Sequence, residues 1–189
     1  FTPYAQPMVV NATYIGPGVP STAAGDGAEM LIFRDNTGGF YYNSIFTEYD
    51  AASGGAGITV EDIDNAGDKP EDSRQRLEAG DLALVNNLWW SFGDGNDLAS
   101  IAPQDFVQTH LAANGNQIAD PQLRGVSRNT DAGLDPRPAV GSPANSGATD
   151  TGDAFFSPVS YLGAFGSSNW LLGWTALDEL GYVTQTSTG

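Results

Sequence analysis

Three short segments share one order of apolar and polar positions: Val9-Val10-Asn11-Ala12-Thr13-Tyr14, Tyr41-Tyr42-Asn43-Ser44-Ile45-Phe46 and Leu84-Val85-Asn86-Asn87-Leu88-Trp89. Each reads apolar, apolar, Asn, small or polar, β-branched or Leu, aromatic. The Asn-to-Asn spacings are 32 and 43 residues, too unequal for a strict repeat code. In stacked parallel coils, equivalent positions lie above one another. Asn amides then stack as a ladder at the bends, aromatic and aliphatic side chains stack inside, and each coil buries its face only against its neighbours. Asn11, Asn43 and Asn86 (or its neighbour Asn87) form such a structural ladder in this reading. The alternative is three unrelated strands that each contain an Asn.

Other runs fit the same picture. Met30-Leu31-Ile32-Phe33 is a short apolar strand followed by the turn Asp35-Asn36-Thr37-Gly38-Gly39. Ile58-Thr59-Val60 is another strand, and Asp81-Leu82-Ala83 leads into the third Asn segment. Polar excursions at 16–28, 50–57 and 62–80 read as loops projecting from the coils. Two stretches read as helices. Residues 103–113 have Pro103 in the first turn and Gly115 just past the end. Residues 170–180 carry Trp170, Leu171, Trp174, Leu177 and Leu180 at helical spacing, with Gly181 closing them. Residues 124–153, rich in Pro, Gly, Ala, Ser and Asp, read as a long wrap. The chain is expected to be one domain. Its parts are a lead and first coil (1–18), further coils and a helix (19–123), the wrap (124–158) and a C-terminal cap (159–183). Trp170, Trp174 and Leu177 are assigned to that cap.

Composition narrows the function classes. Seven Lys+Arg against 23 Asp+Glu leave a net charge of −16, which repels phosphate backbones and anionic lipid, so neither nucleic acid nor membrane insertion is expected. With no cysteine, disulfides, zinc-thiolate sites and thiol nucleophiles are excluded. His110 is the sole histidine, so a multi-histidine metal site is excluded too. Its place near a helix C-terminus favours the protonated form. An acidic, lysine-poor chain suits salty or calcium-rich surroundings, though drift in a GC-rich genome gives the same composition.

Further on, Asp120-Pro121-Gln122-Leu123, Leu134-Asp135-Pro136-Arg137-Pro138 and Gly141-Ser142-Pro143-Ala144 resemble the endings of secreted bacterial right-handed parallel β-helix proteins, the pectate-lyase-like superfamily. The segments 159–166, 169–174 and 32–46 are similar to the tails and final coils of such proteins. The resemblance implies a mainly β fold, a partial right-handed parallel β-helix of few coils with long loops and a C-terminal capping helix. It implies an extracellular location. It leaves activity open, because that superfamily holds lyases, hydrolases, adhesins and structural proteins.

Candidate chemistry is sparse. Gly93-Asp94-Gly95-Asn96-Asp97-Leu98 looks like one calcium-binding nonapeptide unit, which makes Asp94, Asn96 and Asp97 metal candidates; a plain Gly-Asp turn is the alternative. Glu61, Asp62, Asp64, Asp68, Glu71 and Asp72 form the densest acidic cluster, a calcium-recruiting loop or a solvated one held by Lys69, Arg74 and Arg76. Arg34 beside Asp35, or Arg74 and Arg76 beside Asp72, can mimic the base and ligands of a β-helix lyase. No catalytic residue is assigned, and catalysis on polyuronates is not expected. Trp89 and Trp90 adjoin on a strand and point to opposite faces, so one is a candidate for stacking on a sugar.

The expected function is therefore structural: an extracellular module that assembles with itself as a filament or surface layer, or that caps a longer β-helix chain. A carbohydrate-binding or lyase-like module acting on a polysaccharide, with calcium possible as its cofactor, is the alternative. The first coil is the expected contact surface, through Phe1, Tyr4, Val9, Val10 and Tyr14, because nothing in 1–18 resembles a cap.

Overall fold

The fold repeats one series of short strands. The computed structural model describes residues 3–18, 29–49, 55–63 and 71–186. The first parallel sheet holds β1 (Met8–Val10), β4 (Gly39–Tyr42) and β7 (Leu82–Val85) in that order. The second holds β2 (Thr13–Ile15), β5 (Ile45–Tyr49), β8 (Leu88–Phe92) and β9 (Gln117–Ile118). The third pairs β3 (Glu29–Phe33) with β6 (Ala56–Val60). Strands β1–β2–β3 form a first rung, β4–β5–β6 a second and β7–β8 a third, with β9 laid on the third. The protein is thus mainly β, with open parallel sheets and few helices. β10 (Leu123–Val126) and β11 (Leu134–Pro138) form an antiparallel pair. All but Leu123 lies in the stretch that reads as a wrap rather than a packed element, because Pro136 and Pro138 mask the strand pattern.

Register explains why the segments look alike. Val10 pairs with Tyr42, and Tyr42 with Val85. Asn11, Asn43 and Asn86, each the next residue, turn the corner at φ 53°, 52° and 56°. Asn tolerates this left-handed conformation better than other side-chain-bearing residues. The same corner of the next level is Gly115, at φ 69°. Three residues past each Asn, Tyr14, Phe46 and Trp89 are in register. Their rings stack inside at centroid distances of 4.8 Å and 4.4 Å. Around them Phe33, Ile58, Val60, Leu82 and Leu84 complete the main core. The outward-facing Ile45 and Leu88 are covered by Ala144 and Leu162, so β5 and β8 are buried on both faces at these positions.

Three helices pack near the stack. α1 (Ser73–Ala79) lies in the charged excursion that reads as a loop; Asp72 caps its start and Gly80 its end. α2 (Leu98–Ile101) starts on Asp97, and α3 (Asp105–Ala113) buries Val107 and Leu111.

The expected C-terminal capping helix is corrected. Residues 170–174 form turns, and only α4 (Ala176–Glu179) is helical. Gly173, at φ 86°, ends the continuity, and Thr175 starts a new helix by accepting from the Asp178 N–H. Leu171 is buried against Phe165 and Val183, but the rest of the stripe faces outward, with Trp170 44%, Leu177 42% and Trp174 72% exposed. Trp170, Trp174 and Leu177 cover no strand end among the described residues. The cap exists, but it is built from 98–118.

Candidate interaction site: the two ends of the stack

A stack of parallel strands leaves a row of unpaired backbone groups at each end. The two ends of this one differ. At the far end, the side chains that follow α2 stand in for a further strand. The Gln104 amide exchanges two bonds with Val60 on the edge of β6. Its Oε1 accepts from the Val60 N–H and its Nε2 donates to the Val60 carbonyl, each at 2.7 Å. On the edge of β7, the Leu84 N–H donates to His110 Nε2 at 3.1 Å and the Leu84 carbonyl accepts from Asn116 Nδ2 at 2.8 Å. β9 covers the edge of β8.

Accepting from Leu84 requires a lone pair on His110 Nε2. Burial pushes the imidazole pKa down from its ordinary value, which keeps that lone pair available. This reverses the expectation from the helix C-terminus, because desolvation outweighs the dipole.

A polar ladder runs from this cap towards the other end. Asn116 Oδ1 accepts from the Asn87 N–H (3.3 Å), Asn87 Oδ1 from the Ser44 N–H (2.8 Å), and Ser44 Oγ from the Ala12 N–H (3.1 Å). The side chains at this position therefore shrink from Asn to Ser to Ala. Asn116 Oδ1 also accepts from the Trp89 indole at 3.1 Å.

At the near end there is no such cap among the described residues. The Ile45 N–H donates to Ala12 and the Gly16 N–H donates to Thr47, at 2.8 and 2.9 Å. In a parallel ladder alternate residues face opposite sides. Ala12, Tyr14 and Gly16 face β5, so Thr13 and Ile15 direct their N–H and C=O groups away from the stack. By the same alternation Met8 and Val10 face outward on β1, since Pro7 and Asn11 bond to β4. Met30 and Ile32 do so on β3, since Phe33 accepts from Glu61.

Beside β2 lies a groove of about 820 Å³. Thr13 and Ile15 form one wall; Phe165, Leu171, Leu177 and Tyr182 line the other. The wall is pinned to the first rung. Asn11 Nδ2 donates to the Tyr161 carbonyl at 2.6 Å, and Thr13 Oγ1 accepts from the Ala164 N–H at 2.9 Å. Gly163, at φ 79°, has no room for a Cβ, which would lie 2.6 Å from Ile45 and 2.7 Å from Thr13. Further back, Arg137 is fully buried. It forks onto Asp135 at 2.7 Å through both Nε and Nη2, and it donates to the carbonyls of Ser167 and Thr186.

Val9 and Val10 lie in β1 and Tyr14 in β2, on the near end. Tyr4 is tied down internally: its hydroxyl donates to Asp81 at 2.7 Å and Arg76 sits 4.0 Å over its ring. Phe1 lies outside the described residues. The corner Asn residues do not form a continuous amide ladder. Asn86 donates to Asn43 at 2.8 Å, but Asn11 and Asn43 hold the wrap at Tyr161 and Thr149. Trp89 is buried in the aromatic stack and Trp90 is half-buried.

Of the metal candidates, Asn96 accepts from the Ser91 N–H at 2.6 Å and Asp97 caps α2, while Asp94 is exposed. No group of three or more metal-ligating side chains occurs among the described residues. In the acidic cluster, Arg74 pairs with Asp62 and Glu78, and Arg76 with Glu71 and Asp81. Asp64, Asp68 and Lys69 lie outside the described residues. Arg34 and Asp35 form an exposed pair.

Gln104, Asn116 and the groove wall were missed in the sequence. A polar residue just after the Ala102-Pro103 that ends α2 gives no sign that it will serve as a strand edge. No helix among the described residues is long and apolar enough to cross a membrane. Compared with family models, curated proteins and solved structures, the chain matches none of them.

Proposed function

We propose that the chain is an extracellular structural module, a partial right-handed parallel β-helix that closes one end of a stack and associates through the other. The carrying observation is the difference between the ends. Gln104, His110, Asn116 and β9 occupy the far edges, whereas Met8, Val10, Thr13, Ile15, Met30 and Ile32 present backbone that no described residue pairs at the near end. Unpaired edges of this kind are templates for strand addition. A capped far end disfavours head-to-tail filaments, which need two complementary edges. It favours a terminating unit that receives a further coil, from a longer chain or from a second molecule.

Sedimentation velocity on the chain at rising concentration tests this. Near-end association gives larger species that the double variant Met8→Lys/Ile32→Lys abolishes. A chain that stays monomeric throughout argues against the proposal, as does association that the double variant leaves intact.

Binding of a polysaccharide is a second reading, favoured by one observation. Trp174 is held by its indole N–H on the Trp170 carbonyl while most of its ring stays exposed, a surface suited to stacking on a sugar. Titration with soluble polysaccharide, followed by tryptophan fluorescence, tests it.

A further inference from the structure

The groove beside β2 has an apolar body and two polar points. Its volume of about 820 Å³ lies in the range of small-ligand sites. Ile15, Leu134, Phe165, Leu171 and Leu177 line it. Phe165 and Leu171 are buried in one cluster with Val183, so that wall is fixed, whereas Leu177 is 42% exposed.

The first polar point is Arg128. Its Nη2 donates to the Gly16 carbonyl at 2.6 Å and its Nη1 to the Val126 carbonyl at 3.2 Å. Gly18, at φ 74°, lies so close that a Cβ there would sit 2.7 Å from the guanidinium. The fork is thus held in place ahead of any ligand. A guanidinium has five N–H donors, and these two bonds leave most of them uncommitted among the described residues. Glu48 stands 3.6 Å away, outside hydrogen-bond distance.

The second point is the hydroxyl of Tyr182, a half-buried residue; no described residue hydrogen-bonds to it. Leu134 pairs with Val126 on one side and bridges Val183 on the other. Tyr182 is therefore about two strand spacings, roughly 10 Å, from Val126 across β11. The hydroxyl and the guanidinium lie within one ligand's length of each other.

A cation beside apolar walls selects an amphiphile. A carboxylate has the planar shape that a guanidinium binds through two parallel hydrogen bonds. A phosphate dianion would be repelled more strongly by Glu48 and by a chain of net charge −16. A pure hydrocarbon would bury the Tyr182 hydroxyl without a partner. The geometry points to a binding site for one free medium-chain fatty acid. Its carboxylate is held by Arg128 and the Tyr182 hydroxyl, and its alkyl chain lies along Leu134, Phe165, Leu171 and Leu177.

The test is isothermal titration calorimetry of the whole chain near neutral pH with decanoate, octanoate and decanol, each kept below micelle formation. Decanoate should bind as a single molecule per chain. Each buried CH₂ contributes about 0.8 kcal/mol, so octanoate, shorter by two, should bind about fifteenfold more weakly. Arg128→Gln should weaken decanoate about tenfold and leave decanol within about twofold, which also shows the groove intact. Tyr182→Phe should weaken decanoate about fivefold. Leu177→Glu, at an exposed position, should abolish binding of both. Phosphatidylcholine vesicles should not carry the chain upward in flotation. No binding of decanoate at about 1 mM overturns the inference. So does equal affinity for octanoate and decanoate, or an Arg128→Gln or Tyr182→Phe variant that binds decanoate as the parent does. Decanol bound with decanoate refused overturns the carboxylate assignment, and flotation with the vesicles overturns the free ligand. None of these readouts depends on association through the near end.

Discussion

The side-chain amide of Gln104 pairs with the backbone of Val60 as a neighbouring strand would, giving and receiving one hydrogen bond at 2.7 Å each. Val60 is 1% exposed, so water cannot replace either bond. Gln104→Leu keeps the volume and orphans both groups. At about 1–3 kcal/mol for each unsatisfied buried group, a loss on the order of 3 kcal/mol is expected in urea unfolding. Gln104→Glu sets an acceptor-only carboxylate against the Val60 carbonyl, so its loss should shrink as pH falls and the protonated acid regains a donor. Equal stability of Gln104→Leu and the parent would show that the amide is not a working edge.

His110 gives the protein a pH signature in a narrow window. Its folded pKa lies below the unfolded value of about 6.5 because burial disfavours the cation. The unfolded chain therefore binds the proton first as pH falls. Stability is complete above about pH 6.5 and declines below it, by up to about 1.4 kcal/mol per pH unit, until the folded imidazole is itself protonated. The lowered carboxylates of Asp81, Asp97 and Asp178 act at lower pH, so the decline between about pH 5 and 6.5 belongs to the single histidine. In His110→Gln, whose amide oxygen can still accept from Leu84, this slope should vanish. Thermal melts across the window would measure it.

Arg137 and Asp135 are a buried pair whose partners extend to Ser167 and Thr186. Arg137→Met leaves Asp135, 7% exposed, without its counter-charge. A loss of about 3–5 kcal/mol is expected. Adding Asp135→Asn should recover part of it. A double variant no more stable than the single one would place the cost in the lost carbonyl contacts instead.

The tryptophans should divide sharply. Trp89→Ala removes a 1%-exposed ring from the centre of the aromatic column and should cost about 3–5 kcal/mol. Trp174→Ala, at a site 72% exposed, should cost no more than about 0.5 kcal/mol. Both are read by chemical denaturation.

The corner and column positions were legible in the sequence because each rung repeats them. Asn11, Asn43 and Asn86 meet the same backbone demand, and Tyr14, Phe46 and Trp89 fill the same interior slot. The ends were not legible, because they break the repetition. Gln104 and Asn116 act through their reach to a particular carbonyl, which no periodicity encodes. The stripe from Trp170 to Leu180 misled for a related reason. Its spacing is helical, but Gly173 and the Thr175 cap divide it, and only Leu171 turns into the core while Trp170, Trp174, Leu177 and Leu180 project outward. The helix α1 was hidden by the charge around it, although Asp72 and Gly80 bracket it with ordinary cap signals.

The hold of the wrap on the first rung sets the order in which the molecule can be finished. Asn11 reaches Tyr161 across 150 positions, and Thr13 reaches Ala164 across 151. On a ribosome, the first rung emerges well before the wrap, and its outer corner must wait for those later residues. Contacts of such sequence separation slow folding, and the nascent strands stay unsealed meanwhile. The corner of the first rung is thus locked in place by residues made long after it.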